Sequence, residues 1–120
     1  MTVLLVALGA ALGAPLRYLT DRAIQSRHDS LFPWGTFTVN ITGSAILGFL
    51  TGLPADATVT ALAGTGFCGA LTTYSTFSYE TLRLAQNGAR LYALANVAAS
   101  VVAGLGAAYG GLALAHAIAR

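Results

Sequence analysis

The chain has 120 residues, of which 56 % are hydrophobic and only 8 % charged. Soluble domains carry about 25 % charged residues, so a chain this small lacks the polar skin of a water-soluble fold and reads as one integral membrane domain. The net charge of +2 comes from scattered arginines without a single lysine, which offers no basic patch for nucleic acid.

A membrane-spanning helix needs about 20 mainly apolar residues, and four segments qualify. The first covers about residues 3–25. It lacks the basic n-region of a signal peptide, and three more apolar segments follow, so it is expected to be retained. The stretch "SRHDSLFP" ends it with charge and proline. The second covers about residues 34–53, with Trp34 placed to anchor at an interface. After the turn "PADA", the third runs over about residues 58–85 and ends at "QNGAR". The fourth covers about residues 91–118. Loops this short force antiparallel neighbours. The pairs Gly9 and Gly13, Gly48 and Gly52, and Gly106 and Gly110 have the G-x-x-x-G spacing that lets helix backbones approach closely in lipid. Arg22, Arg27 and Arg90 lie near the first and third loops and only Arg120 on the other side, which leans toward both termini outside.

Several motifs dissolve on inspection. "GTGFCG", from Gly64 to Gly69, matches a dinucleotide fingerprint, but no strand precedes it and the next acid, Glu80, comes too soon. The sequon at Asn40 falls inside an apolar span. Cys68 is alone, so no intrachain disulfide exists. His28, His116 and the acids show no metal-ligand spacing, and no nucleophile, base and acid come together, so no enzyme is expected.

Two polar stripes remain. Thr36, Asn40 and Ser44 fall at i, i+4 and i+8, on one face of the second helix, and Tyr92, Asn96 and Ser100 repeat the pattern on the fourth. An amide in mid-span is costly unless paired. Asn40 therefore either glues two helices by hydrogen bonds or lines a narrow polar path with the second stripe. Arg17 and Asp21 are one turn apart, an intrahelical pair or a positive wall for an anion vestibule. Glu80 has Arg83 as its i+3 neighbour, which makes an ion pair there the expected arrangement.

The third segment contains "GFCGALTTYSTFSYE", Gly66 to Glu80, the most polar and least helical part of the chain. Gly66 and Gly69 weaken the helix, and Thr72, Thr73, Ser75 and Thr76 can satisfy backbone groups that a break sets free. Non-helical backbone at membrane depth survives only where protein or a cavity satisfies it, and broken helices aim carbonyls at cations and amides at anions. The physical reading is an ion-handling site near the midplane; the plain alternative is a kink.

At these residues the chain resembles a known family, the Fluc (CrcB) fluoride channels of microbes. The resemblance spans nearly the whole chain. It rests on "GAALGAPLRY" in the first span, "GTFTVNITGSAILG" in the second and "GFCGALTTYSTFSYE" in the third, against a family hallmark reading G-G/A-L-T-T-F-S-T-F. It implies an all-α membrane protein of four transmembrane helices with a broken third helix, assembled as an antiparallel, dual-topology homodimer with two pores. It implies passive export of fluoride from the cytoplasm across the bacterial inner membrane, relieving fluoride toxicity. It implies a structural sodium ion at the dimer centre, held by the main-chain carbonyls of Gly69 and Thr72. The fluoride pathway it implies comprises Asn40, Tyr74, Phe77, Tyr92, Asn96 and Ser100; the hydroxyls of Ser75 and Thr76 add donors. Arg17 would stand at a vestibule and Glu80 beyond the break. The family's first phenylalanine is replaced here by Tyr74. A competing class, the small multidrug-resistance cation/proton antiporters, needs a carboxylate buried in the first helix, where this chain has no acid before Asp21.

Overall fold

The computed structural model describes residues 2–27, 31–54 and 56–118. His28, Ser30 and Arg120 lie outside them. Helix α1 (Thr2–Arg27) is followed by α2 (Trp34–Gly52). A short helix α3 (Ala57–Val59), a π-helical stretch π1 (Thr60–Cys68) and α4 (Gly69–Leu71) then run on continuously. After an interruption come α5 (Ser75–Gln86) and α6 (Arg90–Ile118). Among the described residues there is no strand.

The helices begin and end where local chemistry directs. Asp56 caps α3 by accepting a hydrogen bond from the Val59 amide at 2.9 Å, satisfying one of the free donors of a first turn. Pro33 precedes α2, and its carbonyl takes the Phe37 amide at 3.0 Å. Phe32, Trp34 and Phe37 form an aromatic cluster there, with ring centroids 4.6 to 5.9 Å apart. Between α5 and α6 the chain reverses at Gly88, whose φ of 83° suits a residue without a Cβ.

Two close-packed seams hold the molecule together. In the first, α1 lies on π1. A Cβ on Gly9 would overlap the Leu62 carbonyl oxygen, and one on Gly66 would come within 3.0 Å of the Gly9 Cα. In the second, α2 lies along α6, where a Cβ on Gly48 would overlap the Ala108 carbonyl and one on Gly111 the Ala45 carbonyl. Backbones this close gain dispersion contacts along their length, the main cohesive force between helices in lipid. Gly106 and Gly110 are different: a Cβ on either meets nothing within 4 Å.

The exterior is more apolar than that of a soluble fold. Leu4, Leu8, Leu12, Leu16 and Leu19 form a stripe along α1, each between 43 % and 63 % exposed. The largest fully buried side chains are Val39, Asn96, Thr36 and Cys68, two of them polar. Water would penalise such an outward apolar face at about 25 cal/mol per Å²; hydrocarbon does not. Among the described residues two helices, α1 and α6, are long and apolar enough to cross a membrane. The 29 residues of α6 rise about 43 Å at 1.5 Å each, more than the roughly 30 Å of a hydrocarbon core. By contrast α2 has 19 residues and carries Thr36, Asn40 and Ser44, and the third segment is divided into shorter pieces.

Candidate functional site

The site is organised by the interruption between α4 and α5. The helix stops at Leu71 because Thr72 adopts an extended conformation, with φ −81° and ψ 161°. Its own amide and hydroxyl both donate back to the Cys68 carbonyl, at 3.0 and 2.9 Å. Beyond it, Asn40 of α2 grips the backbone of Thr73 from both sides. The Thr73 amide donates to Asn40 Oδ1 at 2.7 Å, and Asn40 Nδ2 donates to the Thr73 carbonyl at 3.1 Å. An asparagine side chain has the donor and acceptor geometry of a peptide group, so it substitutes here for the missing helical neighbours. The Thr73 hydroxyl then accepts from the Thr76 amide at 3.1 Å and starts α5.

These bonds have a consequence for two carbonyls. In an unbroken α-helix the Gly69 carbonyl would take the Thr73 amide and the Thr72 carbonyl the Thr76 amide, four residues on. Both amides are diverted to side chains, Asn40 Oδ1 and Thr73 Oγ1. Gly69 and Thr72 are therefore left with carbonyl oxygens whose helical donors are engaged elsewhere. Neutral main-chain oxygens of this kind are hard ligands of the type that coordinates sodium in broken transmembrane helices. The donor set thus fits an alkali cation. Among the described residues no three His, Cys, Asp or Glu side chains converge as a transition-metal site would require.

Around the interruption lies an open groove of about 680 Å³ between α2, π1, α5 and α6. Asn40, Gly69, Thr72, Tyr74, Phe77 and Ser100 all contribute to its wall, so six of the candidate residues come together. Tyr74 is 81 % exposed, and its ring centroid lies 6.3 Å from that of Phe77 at an interplanar angle of 44°. A second, smaller pocket of about 130 Å³ lies on the far side of Thr73. It collects Arg17, Tyr18, Asp21, Thr36 and Thr76. Arg17 and Thr76 are thus separated from the groove, with Thr73 forming a wall of both cavities. In the small pocket Asp21 Oδ1 is buried without a hydrogen-bond partner.

Glu80 departs from the expected arrangement. It accepts a short hydrogen bond from the Thr36 hydroxyl; among the described residues no ion pair joins it to Arg83. The reason is placement: α5 sets Glu80 inward against α2, where buried Thr36 needs a partner, while Arg83 is exposed. Likewise no ion pair closes between Arg17 and Asp21 among the described residues, and it is Arg22 that donates to Tyr18, at 3.0 Å. The polar stripe of α2 therefore faces the interrupted segment throughout: Thr36 meets Glu80, Asn40 meets Thr73 and Ser44 lines the groove.

The stripe of α6 divides. Asn96 is fully buried, and its Nδ2 donates to the Thr81 hydroxyl at 2.8 Å. Ser100 donates to Asn96 Oδ1 at 3.4 Å and reaches the groove. Tyr92 is 42 % exposed and Ser75 is exposed at the surface of α5. Of the hydroxyls expected to satisfy backbone freed by the break, that of Thr73 does so by accepting from the Thr76 amide. Sequence reasoning missed Thr81, the i+4 neighbour of Phe77, whose hydroxyl accepts from buried Asn96.

Among the described residues, an all-helical fold with an apolar exterior, buried polar side chains at Thr36 and Asn96 and a hydrogen-bonded helix interruption fits a membrane protein that handles ions. The chain belongs to the CrcB family: the profile described as "CrcB-like protein, Camphor Resistance (CrcB)" matches residues 4–112. It is 62 % identical to "Fluoride-specific ion channel FluC 1" of Frankia casuarinae and 60 % identical to the protein of the same name from Streptomyces avermitilis, each over 98 % of both chains. The relative of that name from Nocardia farcinica is 57 % identical over 95 % of this chain and 80 % of its own length. These relatives are named as ion channels, not enzymes.

Proposed function

We propose that this protein is a fluoride-selective channel that lets fluoride leave the cytoplasm passively and so relieves its toxicity. The observation that carries the reading is the Asn40 clamp on Thr73, which holds a helix open beside a donor-lined groove. The names of the relatives agree with a fluoride channel and give the multidrug antiporter no support.

Fluoride is small and strongly hydrated, so a pore must replace its water with donors. Ser100 offers a hydroxyl in the groove, Ser75 one at the exposed surface of α5 and Thr76 one in the smaller pocket beside Arg17, and the second N–H of Asn40 remains beyond the one given to Thr73. Aromatic rings are positive at the edge, so Tyr74 and Phe77 turned edge-on attract an anion weakly. Tyr92 continues the path along α6, and Asn96 acts on it from behind Ser100, whose hydroxyl it holds. Sites that are weak and multiple let an ion leave as readily as it arrives. Arg17 concentrates anions at the vestibule, and Glu80 stands beyond the interruption.

The functional unit on this reading is an antiparallel, dual-topology homodimer in the bacterial inner membrane. Each protomer crosses it four times, with α3 through α5 as a broken third span, and lipid covers the outer leucines. The open wall of the groove and exposed Tyr74 support a second copy on that side. The Gly69 and Thr72 carbonyls of both copies would hold sodium at the centre; when bound, it supplies positive charge that offsets the converging carbonyl dipoles. Fluoride efflux from protein-loaded liposomes, read with a fluoride electrode, tests the proposal; efflux no faster than from empty liposomes rejects it.

A further inference from the structure

We infer that Thr81, outside the groove, is a positioning residue that sets how Ser100 presents its hydroxyl to an anion. The inference rests on the fluoride-channel reading above.

Three side chains form a hydrogen-bond chain with a single direction. Ser100 donates to Asn96 Oδ1 at 3.4 Å, Asn96 Nδ2 donates to Thr81 Oγ1 at 2.8 Å, and Thr81 donates to the Phe77 carbonyl at 2.8 Å. A threonine hydroxyl has one proton. That of Thr81 is committed to the Phe77 carbonyl, one turn back on its own helix, so only lone pairs face Asn96. The Asn96 amide is thereby fixed: a flipped amide would set its oxygen against those lone pairs in a fully buried position, where an unmatched polar pair is costly. The amide oxygen must therefore face Ser100.

This orientation has a functional result. The Ser100 hydroxyl has an acceptor at rest, at a distance near the outer limit of a hydrogen bond. It is held in a defined direction but weakly, and it exchanges that acceptor for an anion in the groove at little cost. Should the amide turn over, its NH₂ would donate to Ser100 and drive the serine proton permanently into the groove. The anion would then be held more strongly and leave more slowly, contrary to what conduction requires.

The test measures fluoride efflux per dimer from liposomes for the wild type, Thr81→Val, Thr81→Ser, Ser100→Ala and the Thr81→Val/Ser100→Ala double variant, with size-exclusion chromatography on each. Thr81→Val should slow efflux about fivefold, the factor one hydrogen bond of ordinary net strength commands. Thr81→Ser should restore it, and in the Ser100→Ala background Thr81→Val should make no further difference. A purely structural Thr81 predicts instead an unchanged rate per surviving dimer, or a loss that multiplies with that of Ser100→Ala; either overturns the inference. Should Thr81→Val not assemble, Thr81→Ala makes the same comparison. Failure of both while Thr81→Ser assembles makes the hydroxyl an assembly element and overturns the inference as well. A wild type that passes no fluoride overturns the channel reading and this inference with it; a conducting wild type indifferent to Thr81→Val overturns this inference alone.

Discussion

Replacing Asn40 by alanine removes both hydrogen bonds that hold Thr73 out of the helix, at 2.7 and 3.1 Å. The Thr73 amide and carbonyl lie in a half-buried position, where each unsatisfied group costs about 1–3 kcal/mol. The simple sum is about 2–6 kcal/mol. Part is recovered if the Thr73 amide returns to the Gly69 carbonyl and rebuilds the helix, which yields about 1 kcal/mol. Both routes damage the site: one leaves the interruption unsupported, the other closes it and occupies a carbonyl assigned to sodium. Asn40→Ala should therefore lower fluoride efflux by more than about tenfold, the equivalent of 1.4 kcal/mol, while some dimer survives on size exclusion. Asn40→Asp, which keeps the acceptor for the Thr73 amide, should fall between the two. Paired efflux and chromatography decide the matter. An Asn40→Ala protein that loses its dimer, with any surviving dimer conducting normally, would reduce Asn40 to helix glue; an intact, fully conducting dimer would refute the clamp altogether.

At Tyr74 the ring rather than the hydroxyl should matter, since tyrosine keeps the positive ring edge on which a weak anion contact depends. Tyr74→Phe should conduct nearly as well as the parent and Tyr74→Ile poorly; loss of efflux in Tyr74→Phe with the dimer intact would make the phenol a donor to the ion. Gly48→Ala and Gly106→Ala should separate cleanly in thermal melts, because a methyl on Gly48 overlaps the Ala108 carbonyl while one on Gly106 meets nothing within the protomer. Equal melting temperatures would contradict the α2–α6 seam. A single cysteine at Ser30 should react from both sides of the membrane, with little background from Cys68, which is 2 % exposed; one-sided labelling would refute dual topology and favour the arginine bias.

The helical class and the polar centre were legible in the sequence because both rest on composition and period. The low charge required lipid, and the i, i+4 spacing of Thr36, Asn40 and Ser44 placed them on one face. What they faced was not legible, since partners distant in sequence depend on packing. Asn40 and Thr73 are 33 positions apart, and nothing local joins them. For the same reason Glu80 read as a partner of Arg83, its neighbour on the helix, when the buried hydroxyl of Thr36 lay across from it. The π-helical form of Thr60–Cys68 had no advance signal beyond its glycines. Thr81 was overlooked because a threonine on a polar helix face is ordinary until a buried amide is found against it.

The central claim is selective conduction of fluoride through a groove built on the interrupted helix. The most direct measurement loads liposomes with equal potassium fluoride and potassium chloride, adds valinomycin to remove the charge barrier, and follows both anions with selective electrodes. The account predicts rapid fluoride efflux, chloride retention close to that of protein-free liposomes, and loss of the fluoride signal in Asn40→Ala. Chloride leaving at a rate comparable to fluoride would contradict it.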